Sequence, residues 1–271
     1  MGSGRARRSE VLATETEFWE RIAAEPWVES ELRIPTASDL ADPFAYSSDR
    51  KFLEKIGPVE GLRVLDIGCG KGSLSLYLAS RGAHVTGLDI TKGMVTRCRK
   101  RFALVKLDAH LVVGDAELQP FRDYSFDRVV GQRTIHHLQN LDRFFEEVYR
   151  VLMPNGRAVF VEPQKRNPFV EFNRKVLHPS IRTQYEHPLV RRDLEQAKKA
   201  FPYTEVETFY LISPVAWFFR YVVRSDLLYR TTSNILQTVE SRLARSKILR
   251  PYCWQVVLTL TRKDRSSTSK S

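Results

Sequence analysis

Cysteine, methionine and long apolar runs are all scarce in this chain of 271 residues. Its three cysteines, Cys69, Cys98 and Cys253, lie far apart and form no CxxC. Such an odd, scattered set builds neither a disulfide framework nor a zinc site, which predicts a reducing, cytoplasmic setting. No apolar run reaches the roughly 18–20 residues that a bilayer span needs. The longest candidate, Leu211 to Val223, is broken by Pro214 and Arg220. The first eight residues hold no apolar stretch, so no signal peptide is expected. Ala6 stands where N-myristoylation wants Ser or Thr. No internal repeat is visible. Residues 1–10 and 263–271 are polar and predicted to fray.

What remains is a globular composition. The apolar fraction is 42% and the aromatic fraction 11%, enough for one large core and too much for wholesale disorder. Acidic residues are the minority: 43 Lys and Arg stand against 32 Asp and Glu, a net charge of +11. The surplus is local. Gln164 to Arg250 holds 16 basic and 8 acidic residues, so +8 of the +11 lies in that third of the chain. A basic balance fits nucleic acid, an anionic membrane surface, an acidic substrate, or plain solvated helix faces.

Periodicity divides the chain. Phe18 to Leu32 reads as a helix interrupted by Pro26, and Ser48 to Ile56 as another. From Leu62 onward, short apolar runs alternate with helical ones. Strands are expected at Arg63–Ile67, His84–Asp89, His110–Val113, Phe126–Gly131 and Arg157–Glu162, with helices at Ser73–Ser80, Lys92–Phe102 and Leu141–Leu152. A helix at Pro188–Phe201 and strands at Val206–Ile212 and Cys253–Thr261 follow. Continuous apolar strands alternating with helices predict an α/β fold, a doubly wound Rossmann-like sheet of seven strands with helices on both faces. The expected divisions are an N-terminal helical extension (1–43), a ligand-binding domain (44–213), a helical insertion (214–250), the last strand (251–262) and a polar tail. The direction of the last strand is left open, since no crossover helix need precede it.

The segment Val64-Leu65-Asp66-Ile67-Gly68-Cys69-Gly70-Lys71-Gly72 falls where the first strand turns into the first helix. Glycines there allow a tight turn and let a ligand approach the backbone at a helix N-terminus. Its third glycine falls at 72, and Ser73 occupies the third position of a dinucleotide fingerprint. Asp89, 21 residues after Gly68, ends the second strand, where a carboxylate accepts from ribose hydroxyls. A nucleoside-containing ligand without a pyrophosphate is implied.

These residues resemble those of the class I S-adenosylmethionine-dependent methyltransferases, over about residues 44–163. Val64 to Gly72 is similar to the family's first motif and Asp89 to its second-strand acid. Gly114-Asp115-Ala116-Glu117 with Gln119-Pro120-Phe121 is similar to its adenine-contacting segment. Phe126 to Leu138 is similar to the fourth strand and its loop, and Leu152-Met153-Pro154-Asn155-Gly156 to the turn before the fifth. Asn155 replaces a glycine, which Asn's tolerance of positive φ permits. The resemblance implies S-adenosyl-L-methionine as cofactor and S-adenosyl-L-homocysteine as product. It implies that Gly68 and Gly70 face the amino-acid portion and ribose, and that Asp66 takes the ammonium. Asp89 would take the ribose diol, Ile90 would lie on the adenine, and Asp115 and the Ala116 N–H would read its edge. Gln132 would lie near the ribose and methionine.

After the fourth strand comes Gly131-Gln132-Arg133-Thr134-Ile135-His136-His137-Leu138. Paired histidines there resemble the small-molecule branch of the family, related to quinone biosynthesis and natural-product methylation. Histidine titrates near neutrality, so His136 or His137 is expected to take the acceptor's proton. Glu162, ending the fifth strand, is expected to orient the histidine, bind an acceptor hydroxyl or stabilise a carbocation. No His, Asp and Glu cluster has metal-ligand spacing, so metal-independent chemistry is expected.

Two basic, aromatic stretches bear on the acceptor. Gln164 to His187 is long for a connection and is expected to form a substrate lid. In the insertion, Trp217 and neighbouring aromatics are interleaved with Arg220 and Arg224, which a helix would place one turn apart on one face. These residues and Arg133 are expected to meet a hydrophobic or anionic small molecule, and the insertion to touch anionic membranes peripherally. Against a nucleic-acid acceptor, the fourth motif lacks the Asp/Asn-Pro-Pro-Tyr sequence used on exocyclic base nitrogens. A non-catalytic binding protein is the remaining alternative.

Overall fold

The computed structural model of the chain describes residues 2–41, 46–176, 185–244, 246 and 248–263. Helix α1 spans Gly2–Ala23, a 3-10 turn Glu29–Leu32, and α2 and α3 Ala37–Leu40 and Tyr46–Ile56. Then β1 (Arg63–Ile67), α4 (Ser73–Ala79), β2 (His84–Asp89), α5 (Lys92–Leu104) and β3 (His110–Val113) follow. Next come β4 (Phe126–Gln132), a 3-10 turn at Ile135–His137, α6 (Leu141–Val151) and β5 (Leu152–Pro163). The last third holds α7 (Pro168–Val176), α8 (Arg191–Ala200), β6 (Tyr203–Phe209), α9 (Trp217–Tyr221), α10 (Asp226–Leu243) and β7 (Gln255–Thr261).

The seven strands run in the order β3-β2-β1-β4-β5-β7-β6. The first five are parallel. β7 is antiparallel to both its neighbours. The reason is topological. β6 ends at Phe209 opposite Gln255, where β7 begins, so the chain leaves and re-enters the sheet at one edge and must run back. One face is covered by α6 and α8, through Phe144, Phe145, Val148, Ala197 and Phe201 against Phe160 and Leu258. The other is covered by α3 and α4, through Phe52, Ile56, Leu74 and Leu78 against Val64, Val85, Val130 and Val159. Apolar residues at 141, 144, 145, 148 and 151 give α6 its buried stripe, and the Asn140 side chain caps its first turn by accepting from the Arg143 N–H. Asn155 has φ 62°, as the turn before the β5 edge requires.

Four expectations are corrected. Residues 2–10 are not frayed but form the first half of α1, which ends at Ala23 rather than running through Pro26 to Leu32. Its sequence hid this because its inward face mixes Val11 and Leu12 with Arg8 and Glu15, which find polar partners elsewhere in the fold. Arg97, itself buried, fixes the helix end by donating to the carbonyls of Ala23, Glu25 and Pro26. The sixth strand begins at Tyr203, earlier than the pattern suggested. Arg220 and Arg224 do not share a helical face, since α9 stops at Tyr221 and Arg224 has φ 57° before Ser225 caps α10. The expected tail after 263, and residues 177–184 of the expected lid, lie outside the described residues.

Candidate functional site

β1 lies between β2 and β4, so the chain winds one way through β1 to β3 and then crosses to the other side. That reversal opens a crevice at the carboxyl ends of β1 and β4, where ligands of open α/β sheets bind. A cavity of about 340 Å³ occupies it, lined by Gly68, Gly70, Asp89, Ile90, Asp115, Ala116, Gln132, Arg133 and His137, among others. Nine of the sequence-predicted site residues, Arg133 among them, therefore converge on one pocket.

The glycine turn is built for close approach. Gly68 has φ 69°, and a Cβ there would lie 2.3 Å from Thr134 Oγ1. Gly70 has φ 51° and no such neighbour, so its backbone is open to a ligand. The Gly70 N–H donates to Asp89 Oδ2 at 2.9 Å and the Thr91 N–H to Oδ1 at 2.9 Å. Burial pushes the Asp89 carboxyl up, against the pull of those backbone N–H groups. Two donors leave lone pairs on both carboxylate oxygens, so Asp89 can still accept from a diol.

Asp66 does not line the cavity. It is buried beneath the turn, accepts from Ser75 Oγ at 2.6 Å, and burial pushes its carboxyl up to about 7. Of the expected ammonium contact, direct or through water, the direct form is not open to Asp66, which lies beneath the turn.

At the far wall, Asp115 accepts from the Glu117 N–H at 2.8 Å and from Arg8 of α1 at 2.6 Å. Arg8 also lies 2.8 Å from Glu117. Leu12, Glu15, Trp19 and Ile22, spaced along one face of α1, complete the cavity. The helix is held there by Glu20, whose carboxylate accepts from the Gly93 N–H at 3.0 and 3.1 Å. Trp19 packs edge-on against His137. The N-terminal extension is therefore the roof of the pocket. Periodicity placed Trp19 and Ile22 on a helix face, but nothing in sequence paired that face with residues over a hundred positions away.

The histidines separate in role. His136 is buried and absent from the pocket wall, with Nδ1 2.6 Å from Glu162 Oε2 and Nε2 3.2 Å from Glu186 Oε1. Burial disfavours its charged form, yet the hydrogen bonds and charges of Glu162 and Glu186 outweigh that and push it up to about 9. With no cation on the ring these two carboxylates favour its charged form, and His136, unlike His137, has no face on the cavity. His137 is on the wall, with Nδ1 3.1 Å from Glu15 Oε2. Glu162 is fully buried and also accepts from the Thr134 and Ile135 N–H groups, both at 2.7 Å. Both of its oxygens are thus engaged within the fold, one by the His136 ring and one by these backbone groups, and it does not line the cavity. Arg133 has φ 58° and donates to the buried Asp49 at 2.7 Å, while Gln132 Nε2 donates to the Leu40 carbonyl at 2.8 Å.

Trp217, Arg220 and Arg224 do not reach this cavity, and no described residue of 214–250 lines it. Trp217 packs edge-on against Trp254, and Arg220 stacks over Tyr229. The carboxylate of Glu240 on α10 takes the N–H groups of Ile212 and Ser213, tying the insertion to the β6 side of the same sheet edge. Its outer surface carries exposed Phe218, Val222, Val223, Leu227, Leu228, Ile235 and Val239.

Residues 65–160 match the family described as Methyltransferase domain. The fatty-acid O-methyltransferase of Mycolicibacterium smegmatis is 39% identical over 118 residues, 43% of this chain and 42% of that protein. A sterol 4-C-methyltransferase of Caenorhabditis elegans is 31% identical over 175 residues, 55% of this chain and 52% of that one. The matched stretch thus spans about half, or less, of these curated relatives. The geranyl diphosphate C-methyltransferase of Streptomyces coelicolor superposes with a TM-score of 0.61 over 93% of this chain and 98% of its own; at 14% identity the likeness is one of fold.

Proposed function

Because residues 65–160 are a class I methyltransferase domain, we propose that the chain moves the methyl group of S-adenosyl-L-methionine to a small, largely apolar acceptor. The observation that carries this is the Asp89 carboxylate, braced by the Gly70 and Thr91 N–H groups at the switch point of the sheet. When bound, the cofactor supplies an electrophilic methyl on a cationic sulfonium.

The residues present fit such a ligand. Asp89 would hold the ribose diol, and the open backbone at Gly70, with Gly68 beside it on the cavity wall, would admit the amino-acid portion. Ile90 lies against the adenine, and Ala116 N–H and Asp115 meet its edge. Arg8 already occupies one Asp115 oxygen, so adenine shares that carboxylate with the roof helix. Gln132 and Arg133, fixed from outside by Leu40 and Asp49, border the methionine end. Methyl transfer is an in-line displacement, so holding donor and acceptor in register supplies much of the rate. His137, between Glu15 and Trp19, is the group on the wall that receives an acceptor proton in O- or C-methylation.

The acceptor is lipid-like in this reading. Leu12, Trp19 and Ile22 give the roof an apolar surface beside the single carboxylate of Glu15, and the relatives bear the names of fatty-acid and sterol methyltransferases. The surface of α9 and α10 adds peripheral docking on anionic membranes, its exposed apolar side chains interleaved with Arg220, Arg224 and Arg230. Among the described residues no helix is long and apolar enough to cross a membrane.

A labelled-methyl assay with lipid extract, RNA and polar metabolites as acceptors tests the reading. Label is expected in the lipid fraction. Label only in RNA overturns the acceptor class, and no transfer with intact cofactor binding favours a non-catalytic protein.

A further inference from the structure

Beside the cofactor pocket lies a side-chain cluster whose geometry exceeds what proton transfer requires. His136 and His137 sit on one tight 3-10 turn, with ring centroids 4.2 Å apart. Their Nε2 atoms converge on a single carboxylate oxygen, Glu186 Oε1, at 3.2 and 3.9 Å. Their Nδ1 atoms point to two other carboxylates, Glu162 at 2.6 Å and Glu15 at 3.1 Å. The chain pins Glu186 in place from the next residue, because the His187 N–H donates to the His136 carbonyl at 2.9 Å. One ligand atom from each of His136, His137 and Glu186 lies within 4.8 Å of the others.

We propose that His136, His137 and Glu186 bind a divalent first-row transition cation of the zinc type. Bonds of about 2.0–2.2 Å from His and Glu to one cation place ligand atoms roughly 3–3.5 Å apart; the His136 to Glu186 distance of 3.2 Å already fits, the His137 to Glu186 distance of 3.9 Å must shorten, and no pair in the set is more than 4.8 Å apart. Two imidazoles and one carboxylate suit Zn²⁺, Co²⁺ or Fe²⁺ rather than Mg²⁺ or Ca²⁺. Metal-binding histidines almost always present their second nitrogen to a carboxylate or carbonyl; His136 does so to Glu162 at 2.6 Å, and Glu15 Oε2 lies 3.1 Å from His137 Nδ1 without hydrogen-bond geometry. Three protein ligands leave a coordination position open, the pattern of working rather than structural sites.

His137 also lines the pocket, so the cation lies at its edge. This consequence rests on the methyl-transfer reading: a cation there lowers the pKa of an acceptor hydroxyl, in place of a free His137 imidazole. The site itself does not depend on that reading. Sequence could not reveal it, since Glu186 stands about fifty residues from the histidines and adjacent histidines have no ligand spacing of their own.

The test titrates chelator-treated full chain with Zn²⁺ by calorimetry and with Co²⁺ by visible absorption. One cation per chain is expected, with cobalt bands of nitrogen and oxygen ligation and no thiolate band, the three cysteines being buried. Glu15→Gln, an orienting carboxylate, should weaken binding about 10- to 100-fold. His137→Ala and Glu186→Gln should weaken it further, in samples whose circular dichroism and unfolding transition match wild type. Absence of saturable 1:1 binding by wild type overturns the site, as does unchanged binding in folded His137→Ala and Glu186→Gln proteins. S-adenosylhomocysteine binding measured on the same samples keeps the two readings apart: its absence with cation retained sinks the cofactor assignment alone, and the reverse sinks the cation site alone.

Discussion

Arg8 donates to Asp115 across 107 residues of sequence, at 2.6 Å, and so fastens the first helix over the crevice that the sheet creates. With Glu20 on the Gly93 N–H and Arg97 on the carbonyls that follow the helix, it makes α1 a roof anchored at both ends. The pocket is therefore finished by a segment outside the matched domain.

Asp89→Ala should weaken S-adenosylmethionine and S-adenosylhomocysteine binding by about 1.5–3 kcal/mol for each lost charge-assisted hydrogen bond. Calorimetry reads it directly, and equal affinities for variant and wild type would refute the cofactor assignment.

His137→Ala should lower kcat by about 10²- to 10⁴-fold with S-adenosylhomocysteine affinity unchanged. A full rate with the true acceptor means that positioning alone drives transfer.

Arg97→Ala should cost on the order of 3 kcal/mol, because it deprives the buried Glu31 of its closest cation and frees the end of α1. Urea unfolding measures the loss, and hydrogen exchange should rise across residues 11–23 first. Uniform exchange along the whole chain would show that α1 is not anchored as described.

Asp66 has a carboxyl raised to about 7, so the native state keeps a proton that the unfolded chain loses near pH 4. Its stabilisation is complete below about pH 4 and disappears as pH rises through 7, a change on the order of a few kcal/mol. Asp66→Asn should flatten that decline and be the more stable protein at pH 8, by thermal unfolding without cofactor. An unchanged pH slope contradicts the buried, raised carboxyl.

Arg220→Glu/Arg224→Glu should abolish binding to anionic vesicles, which salt also weakens at roughly 1 kcal/mol per basic residue. Since neither arginine lines the cavity, acceptor and cofactor affinities in detergent should not change. Vesicle binding that survives the charge reversal leaves these residues as ordinary solvated arginines.

Chain order alone laid out the parallel strands and the residues that meet at their carboxyl ends. Strands β1 to β4 and the helices between them are written in local apolar runs, and the glycine turn, Asp89 and Asp115 sit at fixed distances along one supersecondary unit. Those signals are short-range, which is why the strands and helices read correctly. Tertiary structure decided the rest. The roof was hidden because the inner face of α1 uses Arg8 and Glu15, charges that count as solvent-facing until Asp115, Glu117 and His137 are brought opposite them. The division of labour between adjacent histidines was hidden because it depends on burial and on Glu186, which returns to the site only after β5 and α7. The insertion's place, beside the pocket rather than over it, follows from β6 and β7 meeting at one sheet edge, a fact of strand direction that no local pattern contains.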